Sequence, residues 1–445
     1  ARQLGAHRLA GPLCQRGRRR LELMAESVRI IGLMSGTSAD GIDAVLAEIV
    51  EPATPLSGEP PAGFLAANGL FVRVAAHVHE PYAEPLRRRL FTLFDVKTAR
   101  IDELTRLDRQ LGRAFGRAAV RVCQAAGIPL PSVAAIASHG QTVHHLPPGE
   151  GEPGGTLQIG RSAEIAAVTG CRVIDDFRAA DIAAGGQGAP LAPFADWRLF
   201  GGSGRPRLIL NLGGIANVTY LPAGGDLAAV RAFDTGPANM VIDGLVQRLS
   251  GGLQRFDAGG QRAARGRADA ALVAEWLCDP YFALPPPKST GRERFGRAFI
   301  ERAQAQARAR GLTPDDLIAS ATAFAAQSVA QQIRRWLPDT QGAELIAGGG
   351  GTRNAALMRM LGEALPHCRL STHAAHGIDD QAKEALAFAL LGYETLCGRP
   401  ANVPGATGAK RSVVLGSLTC APAPPDEITR AQAPPGTARR SPLRA

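Results

Sequence analysis

The residues most able to do chemistry come early, in Leu33-Met-Ser-Gly-Thr-Ser-Ala-Asp-Gly-Ile-Asp43. Apolar runs, Val28–Leu33 and Ile42–Ile49, lead in and out of it, so it reads as a hairpin with a tight turn. Gly36, Thr37, Ser38, Ala39 and Gly41 offer backbone N–H groups and two hydroxyls with no bulk in the way, which suits phosphate oxygens. Asp40 and Asp43 would repel a bare phosphate and make sense beside one if Mg²⁺ lies between. An ordinary glycine turn fits the same residues. Asn211-Leu-Gly-Gly-Ile-Ala-Asn217 is a second glycine turn between strand-like runs, and Gly213 with Gly214 could face the first turn across a triphosphate. Gly348, Gly349 and Gly350, followed by Gly351 and then by Asn354, separate a strand from a helix. Bare backbone there would accommodate a base or ribose, and the helix N-terminus favours negative charge.

Asp234, in Phe-Asp-Thr-Gly-Pro-Ala-Asn239, falls between a strand and a helix. It could cap that helix or serve as a general base in a cleft. Asp175, Asp176, Arg178, Asp181 and Gly185-Gly-Gln187-Gly-Ala-Pro190 form a polar passage suited to hydroxyls and a carboxylate on a sugar-like molecule. Lys288–Glu293 is a similar loop, and structural ion pairs would explain either equally well. His139, His144 and His145 lack a metal-ligand partner set. The metal ligands stay undefined.

The elements that must hold these residues read as two repeats of one pattern. Strands at 28–34, 42–50 and 69–79 are followed by helices at 83–95 and 101–126, a strand at 133–137, a short strand at 156–159, a helix at 163–169 and a strand at 171–174. The second half gives strands at 207–212, 218–221 and 229–233 and a helix at 238–249. A helical region follows, clearest at 314–336 with Thr313 as its cap. Then come a strand at 345–347, a helix at 354–365, a strand at 369–371 and a helix at 380–397. The expected architecture is α/β and two-lobed, with the ligand between lobes, as in the actin–hexokinase (ribonuclease H-like) layout. The boundaries are a disordered extension over 1–27, lobes over 28–204 and 205–419, and a disordered tail over 420–445.

Composition narrows the function classes. Of a formal net charge of +10, the first 23 residues carry +5 and the last 25 carry +2, leaving +3 for the body. With only 5% aromatic residues, this suits an anionic small molecule better than nucleic acid. No apolar run reaches the ~20 residues of a membrane helix. The seven scattered cysteines include no C-x-x-C pair, which argues for reduced thiols in a cytoplasm. The Arg-rich start resembles a transit peptide in composition, but it has no packing periodicity, and Met24 reads as the natural first residue.

In Gly32–Asp43, Ser138–Val143, Asp176–Pro193, Asn211–Asn217, Phe233–Asn239, Pro287–Phe295, Gly348–Asn354, Glu384–Phe388 and Asn402–Gly408, the chain closely resembles the anhydro-N-acetylmuramic acid kinases. These are bacterial enzymes of cell-wall recycling with the actin–hexokinase fold. The departures are slight: Ala39 replaces a larger apolar residue, and Gly377–Asp380 lacks a proline. The resemblance implies that ATP, water and 1,6-anhydro-N-acetylmuramic acid give N-acetylmuramic acid 6-phosphate and ADP, with Mg²⁺. It places the ATP segment on Gly36–Asp43 (including Ile42), the base on Asp234 and a water-holding carboxylate on Glu384. Asp176, Arg178 and Gln187 of the polar passage, with Asn239 of Phe233–Asn239, are then candidates for the sugar. It also implies a cytoplasmic homodimer. Alternatives are a kinase for another anhydrosugar such as levoglucosan, or a nucleotide-gated actin-like binding protein.

Overall fold

The alternation of short apolar strands with amphipathic helices resolves into two mixed sheets. The computed structural model describes residues 27–52, 60, 62–146 and 154–422. The extension over 1–26 and the tail from 423 onward, together with the expectations placed on them, lie outside the described residues.

The first sheet contains β1 (Val28–Ser35), β2 (Gly41–Val50), β3 (Leu65–Ala67), β4 (Leu70–Pro81), β5 (Ala135–Leu146), β6 (Gly155–Ile159), β7 (Val173–Asp175) and β13 (Ser417–Thr419). The second contains β8 (Arg207–Leu212), β9 (Ile215–Leu221), β10 (Arg231–Pro237), β11 (Glu344–Gly348) and β12 (Arg369–Thr372). Their orders, β13-β7-β5-β1-β2-β4-β3 and β10-β9-β8-β11-β12, share one plan. In each, an antiparallel three-strand meander is extended by two parallel strands beside its first strand. The expected duplicated α/β pattern is therefore present in the strand pairing, although the halves share no residue repeat.

Local chemistry explains the helices that support these sheets. The helix Ile101–Ala126 buries Leu107, Leu111, Phe115, Ala118 and Val122, at a spacing of three or four. It stops at Gly127, whose φ of 65° only glycine adopts cheaply. The helix Pro314–Trp336 opens with a reciprocal capping box between Thr313 and Asp316, worth ~1 kcal/mol.

The C-terminal segment does not stay with the second sheet. The helix Lys383–Leu396 packs against β1, β2 and β5 of the first sheet, and β13 pairs with β7. The C-terminal segment thus returns to the first lobe. Its residues Leu386, Leu390, Ala401 and Leu415 join a core that also holds Ile30, Ala137, Ile209 and Ile346, from strands of both sheets. Gly32 permits this close approach, because a Cβ there would lie 1.9 Å from Ala385 O and 2.8 Å from Ala389 N. Gly32→Ala must push the helix outward. We expect a loss of ~1–3 kcal/mol or more in denaturant unfolding, together with reduced turnover, since Glu384 rides on this helix.

Candidate active site

The first glycine turn forms as the sequence indicates. β1 and β2 are antiparallel with Met34 opposite Asp43, and the turn closes by Ala39 N–H donating to Gly36 O at 3.1 Å. Thr37 and Ser38 are exposed at the tip, while Ala39 and Ile42 are buried in the core and can offer only backbone. A buried side chain whose role the sequence did not disclose braces the turn. Gln141 on β5 donates to Gly36 O at 3.0 Å, and its Oε1 lies 2.7 Å from Ser35 Oγ. Tyr82 donates to the same Ser35 hydroxyl at 3.0 Å. Burial opposes ionisation of Asp43, yet hydrogen bonds and charge from His77 and His79 hold its carboxyl below the usual range.

The second turn lies between β8 and β9 and is fastened to the start of the helix Asn239–Leu249. Asn239 N–H donates to Gly213 O at 3.0 Å, and Met240 N–H donates to Gly214 O at 3.1 Å. The third glycine cluster packs directly on it: a Cβ at Gly349 would meet Asn211 Oδ1 at 2.5 Å, whereas one at Gly350 would meet only Asn239 Nδ2 at 3.9 Å. Gly213, Gly349 and Gly350 all lie on the wall of one large cavity of about 840 Å³, and of the three Gly350 has open space beside its backbone.

That cavity is bounded by both sheets. Asp40, Asp43, Arg178, Gln187, Asp234 and Glu384 all face it. Asp234 sits inside β10, opposite Asn217, where the register shifts between Asp234 and Gly236. It does not cap the following helix, whose cap is Ala238 with no side-chain bond. One carboxylate oxygen accepts from Thr290 N–H at 3.0 Å, and its backbone is held by Tyr281 O–H and Lys288 O. Burial raises the carboxyl to about 6, offset in part by the Thr290 bond and reinforced by Glu293. Glu384, at the head of its helix, meets the water of the cleft yet lies deep between the lobes, and that burial raises its carboxyl. Asp43 and Asp40 add to the rise, while Lys383 and Arg178 oppose it.

Other expected residues make contacts within the fold. Asp176 is exposed, in a left-handed conformation with φ 52°, and its carboxylate accepts from Ala179 N–H. Asn239 donates to Leu212 O at 2.9 Å behind the second turn. Asn354 caps the helix Ala355–Ala364 by accepting from Leu357 N–H at 3.0 Å. Gly348 packs against His373 and Asp380. Asp181 is fully buried and accepts from Gly188 N–H, Asn402 Nδ2 and Thr407 Oγ1, each at 2.8 Å, so it ties the Gly185–Ala189 passage to the Asn402–Gly408 loop. Asp181→Ala would strand three buried donors and should cost ~3 kcal/mol or more by chemical denaturation. The sequence also gave no sign of the chain Thr219–Asp196–Lys383 at the back of the cavity. There the Lys383 ammonium lies 2.8 Å from Asp196 and 3.4 Å from His373.

The sequence model of the anhydro-N-acetylmuramic acid kinases matches residues 28–421. An anhydro-N-acetylmuramic acid kinase of Caldanaerobacter subterraneus subsp. tengcongensis is 39% identical over 397 residues, covering 88% of this chain and 96% of its own. One of Gloeobacter violaceus is 43% identical over 388 residues, covering 87% and 97%. The chain belongs to the anhydro-N-acetylmuramic acid kinase family. The matched span takes in both glycine turns, Asp234, Glu384 and the returning β13, and it excludes the Arg-rich start. Among solved structures, the Acidaminococcus fermentans (R)-2-hydroxyglutaryl-CoA dehydratase component A covers 83% of this chain and 100% of its own, with a TM-score of 0.43 and 12% identity. Among the described residues no helix is long and apolar enough to cross a membrane, and six cysteines are free.

Proposed function

We propose that this protein uses ATP and water to convert 1,6-anhydro-N-acetylmuramic acid into N-acetylmuramic acid 6-phosphate and ADP, a step of peptidoglycan recycling. The observation that carries the proposal is Asp234: a cleft carboxylate with one oxygen tied to Thr290 N–H, the other without a hydrogen-bond partner among the described residues, and a pKa raised to about 6. That basicity suits a group that must be ionised at neutral pH yet accept a proton from water.

Asp234 takes a proton as water attacks the anomeric carbon, and Glu384 helps to hold that water. The bond from the anomeric carbon to the 6-oxygen breaks, and the 6-oxygen takes the γ-phosphoryl group of ATP as ADP leaves. Because phosphorus captures the departing oxygen, no separate general acid is needed. The open turn at Gly36 and the glycine backbone lining the cavity at Gly213, Gly349 and Gly350 would supply donors for the phosphates and nucleotide. Asp40 and Asp43 both face the cavity and would hold Mg²⁺, which would supply charge neutralisation between the phosphates. Arg178 and Gln187 face the space left for the sugar. The reading also carries a cytoplasmic location and a homodimeric assembly.

The test is direct. Purified protein with ATP and Mg²⁺ is given 1,6-anhydro-N-acetylmuramic acid or levoglucosan, and products are read by phosphorus NMR and mass spectrometry. A sugar 6-phosphate formed one-for-one with ADP from the muramic substrate supports the reading. Equal or better turnover of levoglucosan, or ATP hydrolysis insensitive to sugar, contradicts it.

A further inference from the structure

We propose that Arg178 is the group that selects an acidic sugar, by pairing with the carboxylate of the lactyl side chain. The proposal rests on the function proposed above and names the part of the cavity that distinguishes its substrate from a neutral anhydrosugar.

Among the described residues Arg178 makes no ion pair, although it lies within the cleft wall. Its guanidinium is held from behind by neutral groups. Nε and Nη2 lie 3.1 and 2.8 Å from His139 Nε2, and Nη1 donates to Gly188 O at 2.7 Å. His139 is buried, its Nδ1 donates to Gly140 O at 2.9 Å, and its ring packs against Phe388, with centroids 4.7 Å apart and the planes tilted by 39°. Burial and the neighbouring guanidinium keep this imidazole uncharged, so its Nε2 lone pair is free to accept from Arg178. The fork is thereby fixed in place, with one N–H left on each terminal nitrogen and, among the described residues, no carboxylate paired with it. Desolvation lowers its pKa to about 10, so it stays charged and gains from an anion. The cavity lining also carries the uncharged Gln187.

The anchors of Arg178 belong to the polar passage rather than to the phosphate cradle. His139 lies on β5 and Gly188 in the Gly185–Ala189 passage, and neither is part of the glycine turns that would take the phosphates. Asp181 is consumed by its own hydrogen bonds, and among the described residues Glu384 forms no ion pair with the guanidinium. The N–H groups left on a fixed, planar guanidinium suit a carboxylate.

The test compares kcat/KM for 1,6-anhydro-N-acetylmuramic acid and for 1,6-anhydro-N-acetylglucosamine, which lacks the lactyl group, in the parent and in Arg178→Met. The parent should prefer the acid, and the variant's preference should fall roughly 10- to 100-fold, the worth of a hydrogen-bonded charge pair. Arg178→Lys keeps the charge without the anchored fork and should fall severalfold, and it carries the comparison alone if the Met variant does not fold. An unchanged preference in the folded variants overturns the proposal. So does a KM for ATP that rises by the same factor as the loss on the acid, since the anion held would then be a phosphate. If the parent turns over neither sugar, the kinase reading itself fails, which is a different result.

Discussion

Asp234→Asn is expected to bind ATP and sugar while losing turnover by ~10²–10⁴-fold or more, the range for removing a positioned general base. Asparagine has the same shape and can still accept from Thr290 N–H, so the β10 backbone and its Tyr281 and Lys288 contacts should persist. What it cannot do is take the proton from water. In the parent, kcat/KM should fall on the acid side of pH 6 as the carboxyl protonates. The same raised pKa has a stability consequence of defined sign. The unfolded carboxyl titrates near 3.8 and the folded one near 6, so the folded state is penalised as pH rises through that window and carries no penalty below it. Asp234→Asn should therefore match the parent in thermal midpoint near pH 4 and exceed it at pH 7.5. The gain should stay below the ~3 kcal/mol that two pKa units represent, because the cleft admits water. Near-normal turnover with sugar present would remove Asp234 from the mechanism.

Gly36→Val should raise the KM for ATP by roughly 10- to 100-fold, equivalent to losing a backbone donor to a charged phosphate oxygen. A Cβ at Gly36 meets nothing nearer than Ser38 Oγ at 3.6 Å, so the protein itself accommodates the change and the added bulk enters the space of the ligand. Gly41, in the same turn, is the contrast. A Cβ there would lie 2.5 Å from Glu80 O, so Gly41→Ala should lower the thermal midpoint first. Unchanged nucleotide affinity in Gly36→Val would exclude the hairpin as a phosphate cradle.

What could be read from the sequence follows from the range of the interactions involved. The two hairpins, the duplicated strand order and the capped helix from Pro314 depend on neighbours within a few residues, and their residue types display them. β5 runs on through Ser138–Leu146, past the 137 expected, because Gly140 with φ 73° and a register shift interrupt the alternation that marks a strand. The return of Lys383–Leu396 and β13 to the first lobe was hidden, since an amphipathic helix does not state which sheet receives its apolar face. Among site candidates, Asp234, Glu384, Arg178 and Gln187 do converge on the cavity. Asp181, Asn239 and Asn354 are polar residues in glycine-rich stretches, and from sequence they look the same as ligand contacts. Their partners in the fold are not visible from sequence: two of those of Asp181 are Asn402 and Thr407, more than 200 residues away.

The central claim is that water enters at the anomeric carbon while the freed 6-oxygen is captured by phosphorus. Running the reaction in ¹⁸O-water and fragmenting the sugar phosphate at once by mass spectrometry tests this most directly. The account predicts a single ¹⁸O on the anomeric carbon and none on the phosphoryl group. Label on phosphorus, or ring-opened sugar without phosphate, would contradict it.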